Sequence, residues 1–472
     1  MEILFPVSTG PSLNPGENGG RLINAYCEVA PEGSRSKFIY RRSPGLDYAF
    51  AAAGSGAFRG ALLVDSILYL ARGDKVDSVT KSGSTYTVNA LSGTLGGTGP
   101  VTMAHNMRAT KQILIQTSDG PFQIVGTTVS AFVDADLPSS LMITYQDGYF
   151  FWPAASGRVT ASDLNDDEIN SNSFVTAESQ PDGMVRCVPF RRDMLFMGAY
   201  STEVWSNAGT SPFPYSRVTV LPIGLYGINA VTGYEPGFPG PLVFVGNDCN
   251  VYKMIGYGLE NVSTPQLQRL LTNVSDRATV KMNSFIAAGH HFISISTPDW
   301  TWFLDLSAPG NFWHERVSYG QANWRVGFTI NAFDEWLALD ATTTSVYRIN
   351  DRTFRESTAP LIWEVQSIQQ HGFPQRTAIH RASFDFITGV GLDRGIDPIE
   401  SNPRVSISWS DDGGRTWGNE LLRDLGTQGE YQRIDIWRTG LTKREGRQWK
   451  LRISDPIEAA MMGGSMFGES RP

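Results

Sequence analysis

Short apolar runs, each followed by a turn and a second run, recur through the middle of the chain about every 45 residues. They read SILYLARGDKVDSVT, KQILIQTSDGPFQIV, DGYFFWPAASGRVTASD, RDMLFMGAYSTEVWS, PLVFVGNDCNVYKMIG, HHFISISTPDWTWFLDL and EWLALDATTTSVYRIND. Taken from Ile67, Ile113, Tyr149, Leu195, Val243, Phe292 and Leu337, the steps match the roughly 40 to 50 residues that a four-stranded blade consumes. The pattern therefore predicts a β-propeller of six or seven degenerate blades. Between the runs, Ser118–Gly120, Gln146–Gly148 and Gly246–Asp248 supply residues that tolerate positive φ, so successive strands join as meanders. A β-sandwich or several small sheets is the alternative reading of the same strands.

Composition points the same way. Gly (48) and Pro (26) are plentiful and aromatic residues reach 11%, while long Ala/Leu/Glu/Lys stretches are missing, which favours strands and turns over helices. With 472 residues, 41% of them apolar and 18% charged, the chain is long enough for two or three domains with a proper core. The opening MEILFPVSTG carries no secretory signal pattern and no run of about 18 apolar residues occurs, so a protein soluble where it is made is expected. Cys27, Cys187 and Cys249 are far apart and outside any C-x-x-C arrangement. They read as core thiols, not as a disulfide framework or a zinc site. The net charge of −8 opposes tight binding to a phosphate backbone, which depends on clustered Lys and Arg.

Beyond about Pro360 the pattern changes. LIWEVQSIQ, HRASFDFITGV, RVSISWS, YQRIDIWRTG and RQWKLRIS are longer strands with period-two alternation, as in Val405, Ile407 and Trp409 against Ser406 and Ser408. They predict a β-sandwich-like domain. The first fifty residues hold no blade unit, but RLINAYCEVAPEGSRSKFIYRRSPGL reads as two strands around a PEGS turn. Because the termini of compact folds often lie close together, this hairpin is expected to pack with the C-terminal domain. The expected boundaries are 1–50 for the hairpin, 51–357 for the propeller and 358–472 for the sandwich-like platform. The composition of the last stretch, EAAMMGGSMFGESRP, predicts an extended arm or frayed end.

The segment SWSDDGGRTWG contains S-x-D-x-G-x-T-W, an Asp box formed by Ser410, Asp412, Gly414, Thr416 and Trp417. Ser410 and Asp412 are expected to bond to backbone groups, Gly414 to take a conformation that a Cβ forbids, and Trp417 to pack beneath the turn. Each role is structural. Sialidases carry several such boxes on successive blades, with three arginines and a Tyr/Glu pair elsewhere, whereas this chain has one box, outside the propeller stretch. His290 and His291 are adjacent and face opposite sides of a strand, so they cannot chelate one ion. The glycine-rich LSGTLGGTGP lacks the G-K-[ST] ending of a phosphate loop, no serine sits in G-x-S-x-G, and His371 and His380 lack zinc-protease spacing. No catalytic centre, metal or cofactor is expected. Between Ala131 and Asn170 there are seven acidic residues, among them Asp163, Asp166, Asp167 and Glu168, against the single Arg158. This is either a solvated loop or a surface that repels DNA. Lys443, Arg444, Arg447, Lys450 and Arg452 in TKREGRQWKLR are either solvated or a basic surface that faces an acidic neighbour in an assembly.

Three regions resemble the tail hub or nozzle proteins of short-tailed bacteriophages, also called packaged-DNA stabilisation proteins. They are the opening RLINAYCEVAPEGSRSKFIYRRSPGL, the blade-like DGYFFWPAASGRVTASDLND and RRDMLFMGAYSTEVWSNAG, and the closing RVSISWSDDGGRTWGNE with WRTGLTKREGRQWKLRISDP. The resemblance implies a structural virion component assembled in the host cytoplasm, with no catalytic activity. It further implies a hexameric ring below the portal and its adaptor, in contact with spikes, fibres or the tail tip, through which packaged double-stranded DNA is retained and later ejected without sticking. No membrane anchor is expected. The alternative is a glycan-binding or sialidase-like glycan-hydrolysing propeller, prompted by the Asp box and by aromatic clusters such as DWTWF.

Overall fold

The computed structural model describes residues 1–472 apart from 12, 13, 15, 16, 18, 178–181, 393–397 and 472. The chain is all-β, and its contacts divide it into two compact units. One is Tyr48–Phe285 with Arg325–Arg348; the other is Met1–Asp47, Ile286–Trp324 and Ile349–Pro472.

The first unit is a succession of four-stranded antiparallel meanders. They run from Phe58–Val64 to Thr85–Ala90, Thr102–His105 to Thr128–Ala131, Thr144–Gln146 to Ile169–Thr176, Met184–Phe190 to Tyr215–Leu221, and Val231–Thr232 to Gly258–Asn261. A further sheet of Val326–Ala332, Glu335–Asp340 and Ser345–Asn350 takes its fourth strand from Gly45–Ala51, and Ala52 N donates to Thr344 O at 2.9 Å. The second strands of the meanders are deeply covered. Every residue of Ile113–Thr117 and Asp193–Gly198 is buried, whereas the fourth strand Tyr215–Leu221 is mostly exposed between its ends. The anchors Ile67, Ile113, Tyr149, Leu195, Val243 and Leu337 all lie in second strands. Burial on both faces is why these segments read as continuous apolar runs.

Cores form between consecutive meanders. Val64, Val76, Ile113 and Ile124 make one such cluster, and Phe151, Val159, Phe196 and Trp205 another. Leu68 and Leu70 of the first meander pack with Leu337, Leu339 and Val346 of the last sheet. The hairpin turn at Asp147 (φ 49°) and Gly148 (φ 95°) has positive φ at both central residues, which matches the right-handed twist of its strands. A Cβ on Gly148 would also stand 2.6 Å from Leu164 Cδ1.

The helix Pro265–Thr272 interrupts the run of strands. Thr264 caps it by accepting from Leu267 N at 3.3 Å, and Pro265 occupies its first position. Leu267 and Leu271, one helical turn apart, are its buried pair.

The second unit assembles two sheets from distant parts of the chain. One has the strand order Ala25–Val29, Phe38–Arg42, Ala460–Arg471, Arg376–Phe386, Ile434–Leu441, with Glu2–Ile3 also on Ala460–Arg471. The other runs from Lys281–Ala287 through His290–Ser296, Thr301–Asp305, Phe312–Glu315, Arg21–Ile23, Trp363–Gln366, Gln448–Ile453 and Arg404–Ser410 to Leu421–Asp424, so that the anchor Phe292 also lies in a second strand. Leu22, Cys27, Trp363, Phe384, Ile407 and Trp449 fill a shared core. The three cysteines are free and buried, and burial pushes the Cys27 thiol up to about 12.

Of the two readings of the terminal segment, an extended arm or a frayed end, the frayed end needs correction: Ala460–Arg471 is an extended strand of 12 residues paired along its length with Arg376–Phe386. Its glycines serve close approach, since a Cβ on Gly468 would lie 2.6 Å from Ala378 O and one on Gly464 3.0 Å from the Phe384 ring. In RVSISWS the polar phase is covered as well: Ser408 is 2% exposed, while Val405 and Ile407 are fully buried.

Candidate assembly surfaces

The Ser410–Trp417 turn follows the strand Arg404–Ser410 and is closed by its own side chains. Ser410 Oγ donates to Asp412 Oδ1 at 2.7 Å and accepts from Gly414 N at 2.9 Å. Asp412 Oδ1 accepts from Thr416 N at 2.9 Å, and Thr416 Oγ1 donates to Asp412 Oδ2. Gly413 and Gly414 hold φ of 75° and 85°, where a Cβ is disfavoured. Burial opposes the charge on Asp412, but hydrogen bonds from Thr416 and Ser410 outweigh it and draw the carboxyl down to about 2. Trp417 is half-buried and carries the Lys450 ammonium 4.1 Å from its ring centroid.

The basic residues of TKREGRQWKLR do not form one surface. Lys443 and Arg444 are exposed. Arg447 is 1% exposed and grips Asp411 with two bonds, Nε to Oδ1 at 2.7 Å and Nη2 to Oδ2 at 2.9 Å. Its Nη1 donates to Thr439 Oγ1 at 2.6 Å, and the guanidinium lies against the rings of Trp409 and Trp449. A cation so desolvated and paired ties the turn to the neighbouring strand and offers nothing to an outside partner. Lys450 is committed to Trp417, and Arg452 approaches Glu420 at 3.8 Å.

In the acidic stretch, Asp163 and Glu168 are exposed, while Asp166 and Asp167 are half-buried. Asp166 accepts from Arg108 Nη1 at 2.8 Å, and Gln112 Nε2 donates to Asp166 at 3.0 Å and to Asp167 at 2.8 Å. The Gln112 bond, joined by the Arg108 charge, holds the Asp166 carboxyl below its ordinary range; burial and the neighbouring Asp166 push Asp167 up. Two of the four carboxylates are thus free at the surface, and one is neutralised.

His290 Nδ1 lies 2.7 Å from Asp305 Oδ2, in a cleft of about 560 Å³ that Tyr26, Glu28 and Arg41 also line. Burial works against the imidazolium, yet the Asp305 bond outweighs it and lifts His290 above its usual range. His314, wholly enclosed, falls to about 3 through desolvation and packs edge-on against Phe292 and Phe303. Among the described residues no group of three or more His, Cys, Asp or Glu is placed to hold a metal ion, and no helix is long and apolar enough to cross a membrane.

Sequence reasoning passed over Trp437 and Phe467, which are 61% and 62% exposed. The signal was present for Trp437: in IDIWRTG it stands in the opposite phase to the buried Ile434 and Ile436.

Among solved structures the chain resembles the WD40 β-propeller domain of Doa1 (TM-score 0.43, 9% identity, covering 64% of this chain and 97% of that one). It also resembles the computationally designed Ika8 protein (TM-score 0.38, 10% identity, 64% and 99%). A third likeness is to PorZ of the type-IX secretion system of Porphyromonas gingivalis (TM-score 0.37, 11% identity, 71% and 44%). No curated protein matches. Family models are more specific. Residues 21–354 match the β-propeller of bacteriophage P22 Gp10 and residues 368–469 match its β-sandwich. With nearly its whole length matched, this chain belongs to the Gp10 family, the tail hub or nozzle proteins of short-tailed bacteriophages.

Proposed function

We propose that the protein is a ring-forming tail hub that extends the portal and adaptor channel, helps to retain packaged DNA and conducts it during ejection. The family match along both domains carries this reading. On it, residues 51–357 serve as the propeller, and 358–472 with the 1–50 hairpin as the platform. Six copies meet head to tail and close around an axis. The net charge of −8 supports a channel that holds DNA without adhering to it, because phosphates and carboxylates repel through water over a Debye length of about 8–10 Å. Asp163 and Glu168, both exposed, are the carboxylates best suited to face the duplex. Assembly takes place in the host cytoplasm, with portal and adaptor on one side and spikes, fibres or the tail tip on the other. The chain acts by shape and charge, not by catalysis: Ser410, Asp412 and Thr416 are engaged in closing their own turn, and Asp411 is held by Arg447.

Mass photometry of the chain, alone and mixed with its adaptor, is expected to show a closed multiple of the 51.9 kDa subunit. A persistent monomer in both samples overturns the ring. Incubation with sialosides and host polysaccharides is expected to release no sugar; release abolished by one carboxylate substitution establishes the glycosidase reading in its place.

A further inference from the structure

The outer face of the sheet that ends in Ile434–Leu441 carries two rows in register. Trp437, Arg381 and Phe467 stand side by side on three neighbouring strands, as do Asp435, Ser383 and Ser465. The first row is an exposed aromatic and arginine strip, with the Arg381 guanidinium 5.3 Å from the Trp437 ring centroid. The second row is the floor of a cleft of about 740 Å³, at whose mouth Tyr431 is 79% exposed.

That floor is chemically incomplete. The Asp435 side chain is only 10% exposed, and its Oδ2 takes Arg433 Nε at 2.7 Å. Its Oδ1 is buried without a hydrogen-bond partner, and so is the hydroxyl of Ser383 directly across the strand pair. An unmatched buried carboxylate oxygen costs far more than an unmatched exposed one. One donor group placed between the two residues would satisfy both.

The geometry points to this face as a docking site for an extended segment of a partner polypeptide. That segment sets a lysine or arginine side chain on Asp435 and Ser383, and an apolar side chain on the Trp437–Arg381–Phe467 strip. The unmatched Asp435 oxygen selects a charged donor, with Arg433 already on the other oxygen and Arg35 and Lys37 elsewhere in the cleft lining, and the strip is built of Trp, Arg and Phe, residue types enriched at interfaces. The partner lies on the face and does not extend the sheet, because side chains already cap the free edge of Ile434–Leu441. Arg423 Nε donates to Asp435 O at 3.0 Å and Arg447 Nη1 to Thr439 O at 3.1 Å. The exposed Lys443 and Arg444 on the same domain repel a uniformly basic segment, so a single cation between apolar residues fits best.

The isolated chain provides a test that does not depend on ring closure. A fluorescein-labelled peptide with one lysine flanked by leucines is titrated by anisotropy against the native chain, Asp435→Asn, Trp437→Ala and, as control, Glu168→Gln. Asp435→Asn and Trp437→Ala are each expected to weaken binding about tenfold or more, with Glu168→Gln unchanged and all variants keeping the native melting curve. Equal affinity for all four chains, or no binding to the native one, overturns the proposal. In assembled particles, a benzophenone amino acid replacing Tyr431 is expected to cross-link to a virion protein segment that contains a basic residue. Cross-links only to a segment without one, to lipid, or to nothing overturn it equally. Mass photometry reports ring formation separately.

Discussion

The meander unit and the sandwich unit have similar strand content, but the chain reaches it by opposite routes. In the meanders almost every strand pairs with its neighbour in sequence, as Ile113–Thr117 does with Gly120–Val125. In the sandwich, Arg21–Ile23 pairs with Trp363–Gln366, and Phe38–Arg42 with Ala460–Arg471. Ordering a local meander closes only short loops, whereas the sandwich must first bring together segments separated by most of the chain. Buried polar contacts differ in the same sense. Arg72 and Asp77, one hairpin apart, form a buried bidentate pair at 2.6 and 2.9 Å. Arg316, also buried, reaches Glu356 at 2.6 Å, Asn24 Oδ1 at 2.9 Å and Pro44 O at 3.2 Å. Arg42 donates to the carbonyls of Ile453, Asp455 and Ile457. The second unit thus uses desolvated arginines to fasten chain segments that no short turn connects. Since such groups are costly when half satisfied, they also make registry unforgiving.

That contrast can be broken most forcefully at Arg316. Arg316→Ala strands the Glu356 carboxylate and is expected to cost about 3–5 kcal/mol in urea denaturation followed by tryptophan fluorescence. The double variant Arg316→Met with Glu356→Leu should recover most of that loss, because the unpaired charge is gone; a loss below about 1 kcal/mol for Arg316→Ala would remove the fastening role.

Gly468→Val tests the terminal strand. Contact with Ala378 O is expected to cost about 1–3 kcal/mol, whereas a neutral result by differential scanning calorimetry would restore the frayed end. In the meander unit, Gly148→Ala forces a Cβ into a positive-φ turn. It should cost about 1 kcal/mol, with no effect on the strands of other meanders by hydrogen exchange.

The smallest effect concerns pH. Asp412 titrates lower folded than unfolded, so its contribution is present above about pH 4, the ordinary aspartate range, and is lost as pH falls through its folded value of about 2. Between pH 5 and pH 3 the native chain is therefore expected to lose more stability than Asp412→Asn. Parallel curves would contradict the internal hydrogen bonding of the turn.

The readable and unreadable parts of the sequence divide along the same line as the two units. Each apolar run beginning at Ile67, Ile113 or Tyr149 sits in a buried second strand because local alternation and turn residues specify a meander. The strand content of RVSISWS and RQWKLRIS was legible for the same reason. Partner choice was not: nothing local to Arg21–Ile23 names Trp363–Gln366 as its neighbour. Arg447 was misread because a basic run looks solvated until Asp411 and two tryptophans are seen to enclose it. The terminal glycines were misread because small residues signal either flexibility or close approach, and only the position of Ala378 O distinguishes them. The acidic stretch gave its charge but not its neutralisation, since Arg108 lies far away in sequence.

Periodicity, turn chemistry and the excess of acidic residues already fixed an all-β chain of repeated meanders followed by longer alternating strands. Those properties depend on neighbours a few residues apart, and the chain carries them wherever it goes. Which strands pair across hundreds of residues, which cations are buried, and which carboxylate is left with an unmatched oxygen were settled by packing. Desolvation and long-range hydrogen bonding depend on what surrounds a group in space, and residue order alone does not encode that in any short stretch.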